Sequence, residues 1–153
     1  MYIIFSILTI MLVIFDLATK QLALRFLQPV ITVPLIKDVF HLTYCENTGA
    51  AFSIFSGKTM YLGIFSGIVI ICLIGYIIIK KPKSKTLLTS LALLISGGTG
   101  NMIDRIFRGY VVDFFDFRLI NFAIFNLADI FVCVGVGLLC IYLFFIDGKT
   151  EIK

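Results

Sequence analysis

Charged residues make up only 14% of the 153-residue chain, and histidine occurs once. His41 has no acid–serine partner at a recognisable spacing, so Ser-His and Cys-His catalysis are set aside and His41 reads as an ordinary polar residue on an outer strand. Neither an H-E-x-x-H nor a Cys/His cluster is present, which removes zinc peptidase chemistry; no metal and no cofactor are expected. The cysteines include no C-x-x-C. Cys72, Cys133 and Cys140 fall inside apolar segments and Cys45 lies alone outside them, which suits packing thiols better than disulfides. The net charge of +4 is not laid out as a basic stripe interleaved with exposed aromatics, so nucleic acid is not a partner. The first fifteen residues lack a basic n-region, and no small-residue cleavage site follows before Asp16 and Lys20, so they read as an uncleaved first span.

What the chain has in abundance is apolar surface: 60% hydrophobic residues and a mean hydropathy of +1.09, which place it among polytopic membrane proteins with one domain over residues 1–153. A hydrocarbon core of about 30 Å needs about 20 helical residues. Four segments qualify, at about 2–26, 60–79, 87–107 and 125–146, predicting a membrane all-α, four-helix bundle. The loop carrying Lys80, Lys81, Lys83 and Lys85 has no acid, so the positive-inside rule puts it and both termini in the cytoplasm. The longer connections, about 27–59 and 108–124, are then extracytoplasmic. Within the first, Pro29, Pro34 and the stretches Val30–Val33 and Val39–Tyr44 suggest short strands, a small β layer at about 29–55. Gly63 and Gly67 stand at the GxxxG spacing of a close helix contact.

Acids are scarce, and their positions are informative. Counting at about 1.5 Å per residue, Asp16 and Lys20 lie roughly 22–28 Å above the cytoplasmic end of the first span, Asn101 and Arg105 roughly 21–27 Å up the third, and Asp129 about 25 Å up the fourth. Three helices thus bring polar groups to one level at the outer edge of the hydrocarbon. Charged residues near span ends often only snorkel to water, and Arg25, Lys37, Lys58 and Arg118 are read that way. Asp129 is too short to do so and begins an otherwise apolar helix. Gly97, Asn101 and Arg105 share one helix face at i, i+4, i+8. Asp104 adjoins Arg105 and reads as its structural partner, and Asp116, three residues past Asp113, falls on the opposite face of a strand and reads as structural or solvent-facing. Gly98-Thr99-Gly100-Asn101 is superficially similar to the G-x-G-D of presenilin-type proteases, with asparagine in place of the aspartate.

With other nucleophiles excluded, Asp113 and Asp129 are read as a catalytic pair. Two carboxylates in one site share a proton; the ionised member activates a water and the protonated member polarises a carbonyl, which suits peptide hydrolysis without a covalent intermediate. The alternatives are a small proton- or ion-conducting or transporter bundle, which predicts acids spread through the membrane depth, and a non-catalytic binding or assembly factor using the same groove.

Five ordered motifs carry a resemblance over essentially the whole chain: D-L-A-T-K (16–20), E-N-T-G-A-A-F-S (46–53), G-G-T-G-N-M-I-D-R (97–105), V-V-D-F (111–114) and F-N-L-A-D (125–129). The sequence resembles the bacterial lipoprotein signal peptidases, the type II signal peptidases. That resemblance implies an aspartyl endopeptidase of the bacterial cytoplasmic (inner) membrane, with a site near the outer leaflet and a small extracytoplasmic β-cradle. Its substrates would be diacylglyceryl-modified prolipoproteins, cut just before the lipidated cysteine, with membrane lipids as further partners. Asp113 and Asp129 take the family's catalytic positions. Asn47, Gly97, Asn101 and Arg105 match positions used to bind substrate and the cyclic peptide antibiotic globomycin, Asn126 and Ala128 would shape the helix-four side, and Asp16 and Lys20 match a supporting, mutually neutralising pair. Gly98-Thr99 departs from the family pattern and suggests a more flexible turn there.

Overall fold

The computed structural model describes residues 1–49, 54–120 and 122–146. The close of the E-N-T-G-A-A-F-S stretch, residues 50–53, lies outside them. Helices α1 (Tyr2–Leu22), α2 (Thr59–Lys80), α3 (Lys85–Phe107) and α4 (Leu127–Ile141) form the bundle, with π-type turns carrying α1 on to Leu27 and α4 on to Ile146. All four are long and apolar enough to cross a membrane. Three strands, β1 (Thr32–Ile36), β2 (Phe40–Asn47) and β3 (Val111–Phe117), form an antiparallel sheet in that order. The four-helix bundle with a small sheet is therefore as expected.

α3 is the central helix. Of its span 56% is buried, against 6 to 11% for the other three. Lipid is as apolar as leucine, so an isoleucine-rich helix gains nothing by turning inward, whereas a helix with serines, glycines and Asn101 both hides its polar groups and lets neighbours come close. A Cβ at Gly97 would collide with the Ala128 carbonyl oxygen and lie 2.8 Å from Val132 Cγ2; one at Gly100 would collide with Asp16 Oδ2. From α4, Gly135 sits against Leu94, and its carbonyl accepts a 2.8 Å bond from the Ser90 hydroxyl. The Gly63/Gly67 contact is formed, against Arg105 and Met102 of α3. Gly98 and Thr99 introduce no turn: α3 runs through them as unbroken helix, since lipid leaves freed backbone groups no partner.

A glycine that touches a fixed carboxylate and one that touches nothing should respond differently to the same substitution. Gly100→Ala is expected to cost about 1–3 kcal/mol by overpacking, because Asp16 is itself held on both sides. Gly75→Ala, with nothing within 4 Å of the new methyl, should be neutral or stabilising by up to about 1 kcal/mol. Thermal unfolding of both variants in detergent checks the contrast.

The sheet departs from expectation in one respect. Residues 111–117, read as part of a connection with Asp113 and Asp116 on opposite faces of a strand, form β3, which joins the sheet beyond the layer expected at about 29–55 and carries Asp113. Gly109, at φ +82°, turns the chain out of α3, and β3 pairs with β2 from Phe40↔Phe117 to Asn47↔Val111, with a bulge between Leu42 and Cys45. Phe125 also belongs to this layer rather than to α4: its N–H donates to the Phe115 carbonyl at 3.1 Å and its carbonyl accepts from Phe115 at 2.8 Å. Helix α4 consequently begins two residues later than expected, after Asn126.

Three cysteines differ from the packing role expected of them. Cys72, Cys133 and Cys140 are exposed on their helices instead of packed in the core, Cys133 on the wall of the cavity described below.

Candidate active site

Backbone geometry at two element ends sets the carboxylates. Asp113 sits on β3 opposite Cys45, with 1% of its surface exposed. Asp129 is the third residue of α4, where it closes a capping box: the Asn126 side chain accepts from the Asp129 N–H at 3.0 Å, and Asp129 Oδ2 accepts from the Asn126 N–H at 3.1 Å. The box satisfies two otherwise unpaired amides and fixes the Asp129 rotamer. Because Phe125 is stitched to Phe115, the start of α4 is tied to the strand that carries Asp113 only one residue from the cap.

Two asparagine amides then join the acids. The Asn126 Nδ2 group donates to Asp113 Oδ1 at 2.6 Å and to Asn101 Oδ1 at 3.1 Å, and the Asn101 Nδ2 group donates to Asp129 Oδ1 at 2.8 Å. Asn47 Nδ2 donates to the other Asp113 oxygen at 3.0 Å, while its own carbonyl accepts from the Gly49 N–H. Burial pushes the Asp113 carboxyl up, the Asp129 carboxylate adds to that, and the Asn47 and Asn126 hydrogen bonds draw it part of the way back, leaving it at about 7.

Beneath this layer lies a buried ion cluster. Lys20 and Asp16 pair at 2.8 Å with neither exposed, Lys20 approaches Asp104 at 3.4 Å, and its ammonium also donates to Asn101 Oδ1 at 2.8 Å. The Ala128 N–H donates to Asp16 Oδ1, joining α1 to the first turn of α4. Asp104 does not pair with Arg105, the partner expected from their adjacency. It pairs with Arg108 at 2.9 Å and accepts from the Val112 N–H, because residues four apart share a helix face and sequence neighbours do not.

A cavity of about 660 Å³ opens onto the two acids, lined by Asn47, Asn101, Arg105, Asp113 and Asp129 at its polar end and by Phe125, Ile130, Val132 and Cys133 along an apolar wall. Arg105 donates to the Gly49 carbonyl at 2.9 Å, and its buried Nε has no hydrogen-bond partner among the described residues. Of the six residues expected to contact substrate, Asn47, Asn101 and Arg105 line the cavity. Gly97 and Ala128 instead pack against one another behind its wall, and Asn126 is wholly buried as the link between the acids. Cys45, which sequence reasoning did not connect to the site, lines the cavity next to Asp113. Burial first, then the Asp113 charge, pushes its thiol up, away from reactivity. The described residues include no group of three or more acidic, cysteine or histidine side chains able to hold a metal.

Asp116 is not solvent-facing. It is buried and accepts from Thr43 at 2.6 Å and from Arg118 at 2.9 Å. Burial works to raise its carboxyl, but these bonds outweigh it and hold the group below the usual carboxylate range. Arg118 is thus an ion-pair partner, not only an interfacial anchor, and His41 is buried beside Thr32.

Comparison with known proteins agrees in sequence and fold. The model of the family described as Signal peptidase (SPase) II matches residues 8–145. The chain is 43% identical over 144 residues to a lipoprotein signal peptidase of Clostridium acetobutylicum, covering 92% of this chain and 94% of that one. It is 41% identical over 142 residues to one from Clostridioides difficile, covering 93% and 95%. Two solved bacterial membrane enzymes superpose with TM-scores of 0.82, at 30% identity (97% of this chain, 91% of that) and 32% identity (94% of each).

Proposed function

The chain belongs to the signal peptidase II family, and from that premise we propose how this multi-pass membrane protease removes signal peptides from prolipoproteins: Asp113 and Asp129 act as one water-activating pair, cutting just before a diacylglyceryl-modified cysteine. The observation that carries the reading is the pair of asparagine amides that bind both carboxylates at the polar end of one apolar-walled cavity.

The two acids have unlike surroundings, which supports unlike roles. Asp129, at the N-terminus of α4, accepts from the Asn101 side-chain amide and from the Asn126 N–H, and a helix N-terminus favours negative charge. Asp113, buried and facing that charge, holds the shared proton. Asp129 takes a proton from a water whose oxygen attacks the scissile carbonyl carbon, while the Asp113 hydroxyl donates to the carbonyl oxygen. The tetrahedral intermediate collapses as the C–N bond breaks, with the proton that Asp129 took from water passing to the amine nitrogen and the carbonyl oxygen's proton returning to Asp113, freeing the signal peptide with a new carboxylate and the lipidated cysteine with a new amine. Asn47 and the Arg105 guanidinium stand where they can donate to backbone carbonyls of the substrate, and the apolar wall suits a signal-peptide helix or acyl chain.

The lysine-rich loop supports an orientation with both termini cytoplasmic and the sheet and acids at the outer leaflet of the cytoplasmic membrane. Surrounding lipids and globomycin, carried over from the family resemblance, are the further ligands of this reading. The ion-conducting alternative required acids spread through the membrane; here Asp16, Asp104, Asp113 and Asp129 form one connected cluster.

Purified protein should cleave a diacylglyceryl-modified prolipoprotein peptide in detergent, unaffected by chelator and blocked by globomycin. Failure to cleave this peptide while cleaving an unmodified one would overturn the substrate assignment. The alkaline limb is also fixed: as Asp113 loses its proton near its value of about 7, the pair becomes two carboxylates with no hydroxyl left to donate to the scissile carbonyl oxygen. The kcat/KM should therefore fall about tenfold per pH unit above that point, which cleavage rates measured at increasing pH will check.

A further inference from the structure

A second cavity, of about 730 Å³, lies away from the acids, between the cytoplasm-directed halves of α1 and α2 over a floor of α3. Its origin lies in α2, whose glycine face meets α3 closely at Gly63 and Gly67 but meets nothing at Gly75. The helices part toward the Lys80 end, and α3 contributes only Leu88, Ala92 and Ile95 to the floor, with Phe5 and Ile10 on one wall and Ile74 and Ile78 on the other. The volume lies within the roughly 300–1,000 Å³ of ligand pockets.

The mouth has the opposite chemistry. Lys81 lines it, held in a left-handed conformation (φ 47°) as the cap of α2. Tyr2 donates to the Pro82 carbonyl at 3.1 Å, holding the α2–α3 loop against the start of α1. Lys80, Lys83 and Lys85 surround the same end, and among the described residues none of the four lysines has an acidic partner. A groove with a dry interior and an unneutralised cationic rim fits an amphiphile with an anionic head. A signal peptide does not fit, because its basic n-region would meet these lysines, and a second copy of this chain would bring the same positive loop.

We propose that this groove holds one anionic phospholipid, an acyl chain lying between α1 and α2 and the phosphate on Lys81, with the Ser6 hydroxyl on the groove wall facing the ester region. The site lies between α1 and α2, both of which line it. It is separate from the cavity at the acids and does not depend on the peptidase mechanism.

Native mass spectrometry of the purified full chain with phosphatidylglycerol or phosphatidylcholine tests this. One phosphatidylglycerol should be retained at least tenfold more strongly than phosphatidylcholine. A lysine near a membrane surface contributes roughly fivefold, so Lys80→Gln with Lys81→Gln should remove most of the preference. Ile74→Trp, which fills the groove from its exposed wall and leaves every lysine in place, should abolish stoichiometric retention. Thermal unfolding of each variant verifies its fold. Equal retention of the two lipids, retention unchanged by Ile74→Trp, or a preference that survives loss of both lysines would each overturn the proposal.

Discussion

Asp113→Asn and Asp129→Asn should each lower turnover of a lipidated prolipoprotein peptide by roughly 10²–10⁴-fold, the range of a lost general acid or base, and the double variant should be little worse than either single one. Non-additivity is the informative part, since groups that act as a unit are lost together when one is removed. Neither substitution is silent for the fold. The Asp113 oxygens accept from Asn126 and Asn47, and those of Asp129 from Asn101 and the Asn126 N–H. An amide offers one acceptor oxygen, so each variant leaves one donor unmatched, at about 1–3 kcal/mol. Turnover is therefore to be compared on protein whose unfolding transition shows it folded at the assay temperature. Near-normal turnover in either single variant would remove the paired mechanism.

Lys20→Met is expected to have the largest effect on stability. The ammonium is wholly buried, pairs with Asp16, lies 3.4 Å from Asp104 and donates to Asn101. Removing one member of such a cluster leaves buried carboxylates uncompensated, which costs about 3–5 kcal/mol, or a fall in Tm on the order of 10 °C for a chain of this size. Asp104 keeps Arg108, but among the described residues Asp16 has no other cation, so adding Asp16→Asn to Lys20→Met should recover part of the loss. Activity should not recover with it, because Asn101 Oδ1 loses the shorter of its two donors and keeps only the Asn126 amide to aim its own amide at Asp129. Thermal unfolding and cleavage measured on the same samples separate the two effects; recovery of both together would mean that Lys20 serves only the fold.

Much of this was legible in the chain because lipid enforces simple rules. Apolar runs of about 20 residues fixed the spans to within a residue or two, and helical rise alone brought Lys20, Asn101 and Asp129 to one level. Strand β3 was harder to read: V-V-D-F-F-D-F does not alternate apolar with polar, since it is buried on both faces. Gly109 before it and its β-branched and aromatic content were the available signals. The start of α4 was misjudged because Phe125 is apolar enough to extend the helix, and only its backbone bonds to Phe115 assign it to the sheet. Gly97 and Ala128 show a further limit. A small residue that lets a ligand approach looks the same in sequence as one that lets a helix approach, and here the two residues close α3 against α4.

The proposal that Asp113 and Asp129 share one proton can be tested directly. Infrared titration of the purified protein should show a protonated carboxyl stretch that disappears with a midpoint at about 7, is absent in Asp113→Asn, and shifts to lower pH in Asp129→Asn, where the neighbouring charge is gone. A wild-type band that titrates near 4, the ordinary carboxylate value, or one unmoved by Asp129→Asn, would contradict the claim that the two acids hold one proton between them.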